Sequence, residues 1–160
     1  MRTRFYGPVL LAAALLLGAQ PAAAQGGALT SKVELEKLTP SGDGQPATKS
    51  YAAPDVVVPG DRVRITLIFT NGGAAPAADV KIVNPIPEGL TFDGTSDPKD
   101  FTVSVDGGKI FGALETLTVP VAGATPRAAT AGDVTHVRWL WSDPVPAASA
   151  RSVAFFGKVK

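Results

Sequence analysis

The chain contains no cysteine and only one histidine, His136, among its 160 residues. Without thiolates or a second imidazole, it cannot assemble the usual nitrogen and sulfur ligands of zinc or copper. No disulfide can form either, so stability must come from the burial of apolar side chains. His136 belongs to no nucleophile motif and is predicted to be a surface strand residue. We therefore expect no enzymatic activity, no catalytic residue and no cofactor.

The sequence also lacks a cluster of charge of one sign. Its 15 Lys and Arg residues nearly balance 14 Asp and Glu residues, and the cations are scattered singly along the chain. Binding to nucleic acid requires a concentrated positive field. We therefore expect no nucleic-acid partner.

Long apolar runs are absent except near the amino terminus. Residues 1–24 begin with Arg2 and Arg4, continue through the apolar run Val9 to Leu17 and end in Ala22-Ala23-Ala24. This order is typical of a cleaved secretory signal peptide, with cleavage after Ala24. The alternative is a membrane anchor, but the run is shorter than the roughly 20 residues that cross a bilayer. We expect export to the periplasm or the medium, with no membrane span in the mature chain.

The predicted domain organisation follows from this start. Residues 25–31 are small and polar and are predicted to be a flexible leader. Residues 32–160 are predicted to form a single domain. Two stretches without apolar anchors, Thr39 to Ser50 and Ala122 to Gly132, are predicted to be mobile loops.

The clearest strand signal is the alternation that begins at Arg62. Val63, Ile65 and Leu67, followed by Phe69, point to one side, and Arg62 points to the other. A period of two predicts a strand with one buried face. Val33-Glu34-Leu35-Glu36 also alternates, although a helical turn could explain its spacing.

Several more short alternating segments follow, separated by turns that draw on 17 glycines and 14 prolines. No long helical pattern is present. Together these features predict an all-β protein, an antiparallel immunoglobulin-like β-sandwich of about seven strands. A closed β-barrel is the alternative architecture.

Two groups of residues suggest a small ligand. Trp139 and Trp141 share one face of a predicted strand, which favours a place in the core but could instead form a platform for a carbohydrate. Four acids lie close together in sequence, and oxygen ligands in loops suit calcium. These calcium candidates are Asp93, Asp97, Asp100 and Asp106, although their spacing matches no known calcium loop.

The central part of the chain resembles a known family. The matching segments are Pro59-Gly60-Asp61, Phe69-Thr70-Asn71-Gly72-Gly73, Ala78-Asp79-Val80-Lys81-Ile82-Val83 and Ile86-Pro87-Glu88-Gly89-Leu90. This pattern is similar to the conserved repeat domain of bacterial exported and surface proteins, a domain of unknown function (number eleven). Asn84 stands where that family usually carries an acidic residue.

The resemblance implies an immunoglobulin-like fold and a structural or adhesive role, and it carries no catalytic or binding residue across. From it we expect an exported, non-enzymatic structural or protein-interaction module of the bacterial cell envelope. Its partner would be another envelope or surface protein, and the sequence does not fix the oligomeric state. The alternative is a small-ligand module for carbohydrate or calcium.

Overall fold

The computed structural model describes residues 26–40, 42 and 46–160. The described chain forms ten strands and two short 3-10 helices, at Leu114–Thr116 and Ala131–Asp133. The strands are β1 (Gly27–Thr39), β2 (Thr48–Ala52), β3 (Arg62–Asn71), β4 (Lys81–Pro85), β5 (Leu90–Thr95), β6 (Phe101–Ser104), β7 (Thr118–Val121), β8 (Ala124–Ala128), β9 (His136–Leu140) and β10 (Ser149–Val159). The predicted signal peptide, residues 1–24, lies outside the described residues.

Two antiparallel sheets carry the fold. The larger has the order β2-β1-β3-β10-β5, the smaller has the order β4-β9-β6, and β7 and β8 form a separate hairpin. The prediction of an antiparallel β-sandwich is confirmed, with ten strands in place of about seven. Among the described strands no sheet closes on itself, so the barrel alternative is wrong. The closing strand β10 lies between β3 and β5 in the larger sheet.

Strand β3 lies at the centre of the larger sheet because both of its edges are paired. It pairs with β1 on one side and with β10 on the other. The predicted alternation is confirmed, since Val63, Ile65 and Leu67 are at most 4% exposed. Burial of each such side chain contributes on the order of 1.5–3 kcal/mol, so this face fixes the register of β3.

The two tryptophans lie in the core between the sheets. Trp139 is 0% exposed and Trp141 is 1% exposed. The indole nitrogen of Trp139 donates a hydrogen bond to the backbone oxygen of Asp97 at 2.8 Å. The prediction of core tryptophans is confirmed, and the carbohydrate platform on this strand face is wrong because neither ring is accessible.

The predicted flexible leader is wrong from Gly27 onward. Strand β1 pairs with β3 from Gly27, opposite Asn71, to Leu35, opposite Val63. Small polar residues such as Ser31 give no periodic signal, but a strand forms here because backbone hydrogen bonding does not depend on the side chain. The sequence pattern therefore does not predict the first part of the pairing between β1 and β3.

The two predicted loops also contain regular structure. The stretch Thr39 to Ser50 overlaps the end of β1 and the start of β2, which pair with each other, and its residues 41 and 43–45 lie outside the described residues. In the stretch Ala122 to Gly132, β8 and the 3-10 helix Ala131–Asp133 take up most of the length. A capping box between Thr130 and Asp133 starts that helix. Local polar contacts, which apolar patterning does not report, account for this order.

Within the described residues, no helix has the length and apolar character needed to cross a membrane.

Candidate interaction surface

The outer face of the larger sheet carries a network of paired charges. Glu34 on β1 lies opposite Arg64 on β3, and the Arg64 Nη2 donates to the Glu34 Oε2 at 2.7 Å. The Nζ of Lys32 lies 2.8 Å from the other oxygen of the same carboxylate. Glu34 is only 6% exposed, so its charge is compensated close to the sheet surface.

A second cluster lies beside it and is centred on Arg62. The Arg62 Nη1 donates to the Glu36 Oε2 at 2.8 Å, and its Nε donates to the Asp93 carboxylate on β5. The Tyr51 hydroxyl donates to the same Glu36 oxygen at 3.0 Å. These contacts connect four strands of one sheet, because Arg62 reaches across β10 to Asp93.

Aromatic rings support both guanidinium groups. The Arg62 guanidinium carbon lies 3.9 Å from the centre of the Phe156 ring, and that of Arg64 lies 3.6 Å from the centre of the Tyr51 ring. Arginine stacks favourably on aromatic faces while its edges donate hydrogen bonds. The arginines are therefore held in place by rings as well as by carboxylates.

A groove of about 370 Å³ runs along this face. Its lining residues are Glu36, Leu38, Gly60, Asp61, Arg62, Asp93 and Lys158. Among them, Arg62 forms ion pairs with both Glu36 and Asp93. The groove is thus built from groups that already hold the sheet together.

Two carboxyl groups of this face, those of Glu34 and Glu36, have lowered pKa values. Hydrogen bonds from Lys32 and Arg64 lower the pKa of Glu34. Burial acts to raise the pKa of Glu36, but the Tyr51 hydroxyl and Arg62 outweigh it and lower that pKa as well. Both carboxylates are therefore stabilised in the charged form by folding.

We expect this network to make the fold sensitive to acid. A carboxyl whose pKa is lower in the folded chain contributes stability above its unfolded pKa, about 4.3 for glutamate, and that stability is lost as the pH falls through the folded pKa. The double substitution Glu34→Gln and Glu36→Gln should flatten the loss of stability between about pH 7 and pH 3. Urea unfolding at a series of pH values measures this.

The matched control for the acid experiment replaces two exposed glutamates, Glu88→Gln and Glu115→Gln. This control should follow the pH dependence of the wild type. If the network variant also follows the wild type, the acid sensitivity has another origin.

The four calcium candidates are not brought together by the structure. Asp93 binds Arg62, and Asp97 accepts hydrogen bonds from the Ser96 hydroxyl and the Ala154 backbone N–H. Asp100 accepts from the backbone N–H and hydroxyl of Ser142, whereas Asp106 accepts from the Ser104 hydroxyl and from the N–H groups of Lys109 and Ile110. In the described ranges, no three Asp, Glu, His or Cys residues are placed to hold a metal ion.

The single histidine takes part in local packing. His136 is half-buried on β9, and its Nδ1 lies 3.2 Å from the Thr135 hydroxyl. A Cβ placed on Gly108 would lie 3.5 Å from its ring. His136 therefore lies on a strand, as the sequence predicts, and its ring packs against the turn that contains Gly108.

A stretch of β1 forms an unpaired sheet edge. Strand β2 covers only Leu35–Thr39, whereas β1 is paired with β3 from Gly27 onward. We call residues Gly27–Glu34 the open edge. Nothing in the described chain pairs with its outer side, and an unpaired row of backbone N–H and C=O groups can accept another strand.

Two residues of the open edge carry partly exposed apolar side chains. Leu29 is 48% exposed and Val33 is 46% exposed, although both lie on the sheet face that β3 turns toward the core. On β3, Ile65 opposite Val33 is 4% exposed, and Phe69 opposite Leu29 is half-buried and packs against the core. The smaller sheet therefore covers β3 but leaves this part of β1 accessible.

The sequence pattern does not predict the paired charges on the outer face or the open edge. The alternation Val33-Glu34-Leu35-Glu36 indicates a strand, yet it is Glu34 that is buried and Val33 that is half-exposed. One sequence signal for the charge pairs does exist, because Glu34 and Glu36 alternate along one strand just as Arg62 and Arg64 alternate along another. Which strands are neighbours must be known before that match can be recognised.

Compared with protein-family models, curated proteins and solved structures, the chain shows no match.

Proposed function

We propose that this chain is an exported, non-enzymatic structural or protein-interaction module of the bacterial cell envelope. The observation that carries the proposal is the open edge Gly27–Glu34, which combines unpaired backbone groups with the half-exposed side chains of Leu29 and Val33. Addition of a strand to an exposed edge is a recurring mode of protein recognition. The partner that suits such an edge is an extended segment of a protein in the same compartment.

The use of charged groups within the fold supports the same proposal. The carboxylates of Glu34 and Glu36 are occupied by lysine and arginine side chains of the same sheet, and Asp133 is bound by Arg127. Groups engaged in this way serve the architecture. Export is supported by the signal pattern of residues 1–24. The resemblance to the conserved repeat domain points to the same setting.

The residues that suggested a small-ligand site are engaged within the fold. Trp139 and Trp141 are buried, and the four aspartates serve four separate local contacts. We therefore do not carry it forward.

The proposal is tested by capture from envelope extracts with the purified protein and its Ser31→Pro variant. Proline removes the backbone N–H of Ser31, and proline is tolerated on an edge strand whose N–H is not needed for the sheet. We expect the wild type to retain envelope proteins that the variant loses, as measured by mass spectrometry. A circular dichroism melt verifies that the variant is folded. Equal capture by both proteins would contradict an interaction through this edge.

A further inference from the structure

The pairing with β3 fixes which residues of the open edge direct their backbone N–H and C=O groups outward. The Gly72 N–H donates to the Gly26 oxygen at 2.7 Å, and the register continues from Gly27 opposite Asn71. In an antiparallel ladder, residues alternate between those that bond the neighbour and those that do not. Even-numbered residues of β1 therefore bond β3, and odd-numbered ones direct their backbone groups outward. Leu29, Ser31 and Val33 are the outward-facing residues at the centre of the edge.

These three residues complement a second copy of themselves. In a two-fold symmetric antiparallel pair centred on Ser31, each Leu29 lies opposite Val33 of the second copy, and each Ser31 lies opposite its own equivalent. All of these positions are odd, so each opposite pair exchanges two backbone hydrogen bonds. The half-exposed apolar side chains then meet on one face, where cross-strand contacts stabilise a sheet.

Neighbouring registers satisfy the edge less well. Centring on Thr30 places Leu29 opposite Ser31 and Val33 opposite Gly27, which separates the apolar side chains. Centring on Lys32 places Lys32 opposite its own equivalent, where like charges are unfavourable. That register also requires the outward groups of Leu35, which are paired with Ala52 of β2.

The charges at the edge permit the Ser31-centred pair. Lys32 would lie opposite Thr30, and Glu34 would lie opposite Ala28, so no like charges stand directly opposite each other. Lys32 is also neutralised by Glu34 of its own chain, at 2.8 Å. A single strand pair buries less than the roughly 1,200–2,000 Å² of a standard stable interface. The association should therefore be weak and dependent on concentration.

We propose that two copies of this chain associate through β1, antiparallel and centred on Ser31, to join their larger sheets into one continuous sheet. The inference rests on the proposed function, because it names a second copy as the partner of the open edge. A symmetric interface of this kind closes at two copies and leaves no further unpaired stretch of the same type between them.

Sedimentation velocity over about 1 µM to 1 mM tests the proposal, because reversible dimers shift with concentration. Two double variants test the register, Leu29→Lys with Val33→Lys and Leu29→Glu with Val33→Glu. We expect the wild type to dimerise and each variant alone to associate at least about tenfold more weakly, a change of about 1.4 kcal/mol. An equimolar mixture of the two variants should form a dimer again, because each lysine then faces a glutamate.

The matched control is Val56→Lys with Ile110→Lys, at two sites 73% and 65% exposed that lie outside the strands. It should dimerise like the wild type. A wild type that is monomeric throughout, or a mixture that stays monomeric, overturns the proposal. If the wild type is monomeric while Ser31→Pro still abolishes capture of envelope proteins, the proposed function stands and the second copy is the wrong partner.

Discussion

Replacement of Trp139 by alanine is expected to lower the free energy of unfolding by about 3–5 kcal/mol, as do other large-to-small changes at fully buried aromatic residues. Trp139 is 0% exposed and lies on β9, the middle strand of the smaller sheet. Its ring centre is 4.9 Å from that of Phe101 and 6.5 Å from that of Phe155 on the opposite sheet. Removal of the indole would leave a cavity at the contact between the two sheets.

Alanine at position 139 also removes a hydrogen-bond donor from the core. The indole nitrogen donates to the backbone oxygen of Asp97, in the segment between β5 and β6. Since a domain of this size is stable by only about 5–15 kcal/mol, the variant should unfold at much lower urea concentration. Urea unfolding followed by circular dichroism measures the change.

Leu140 provides the control on the same strand. It is 49% exposed and points away from the core, so Leu140→Ala should change stability by less than about 0.5 kcal/mol. If Trp139→Ala were as mild as Leu140→Ala, the smaller sheet would not be packed on the larger one through this residue.

The part of the fold that could be predicted from sequence is the part whose side chains carry a period of two. The buried face of β3 and the core position of Trp139 follow from that period, because burial selects apolar groups at alternate positions. The first part of the open edge, Gly27 to Ser31, could not be predicted, since its small and polar side chains show no clear period of two. Side chains report burial, and this segment is barely buried.

The order of the strands also lay beyond sequence reasoning. Strand β10 pairs with β3 and β5, which are distant from it in sequence, and no local pattern specifies such partners. The charged network depends on that order, because Arg62 on β3 and Asp93 on β5 come together only through the pairing of both strands with β10. Because the strand order is not known from sequence, Asp93 is predicted there as a calcium ligand, whereas in the structure it forms an ion pair with Arg62.

Replacement of Asn71 by aspartate is expected to destabilise the fold by about 3–5 kcal/mol at neutral pH, as expected when an unpaired charge is left buried. Asn71 ends β3 and is 3% exposed. Its side-chain nitrogen donates to the backbone oxygens of Ala75, Val145 and Pro146 at 2.9, 3.0 and 3.1 Å. Its side-chain oxygen accepts from the Gly73 N–H at 3.0 Å.

The amide of Asn71 therefore joins two loops that are far apart in sequence. An aspartate would direct a carboxylate oxygen at three carbonyl oxygens, which repel it and disfavour the charged form. Its pKa would then be higher in the folded chain than in the unfolded chain, so the folded variant binds a proton more readily. The stability deficit relative to the wild type should be smaller at about pH 3.5 than at pH 7.

Urea unfolding of the Asn71→Asp and Asn71→Ala variants at both pH values separates charge from lost hydrogen bonds. Asn71→Ala should cost about 1–3 kcal/mol at either pH, because it leaves acceptors unpaired without adding a charge. Asn84→Asp is the control, since the Asn84 amide donates only to the adjacent Pro85 oxygen, at 2.7 Å. A pH-independent deficit for Asn71→Asp would contradict the opposed carbonyl geometry. The expected result would give a physical reason for asparagine in the segment Phe69-Thr70-Asn71-Gly72-Gly73: it needs both an amide donor and an acceptor to hold two loops against the end of β3.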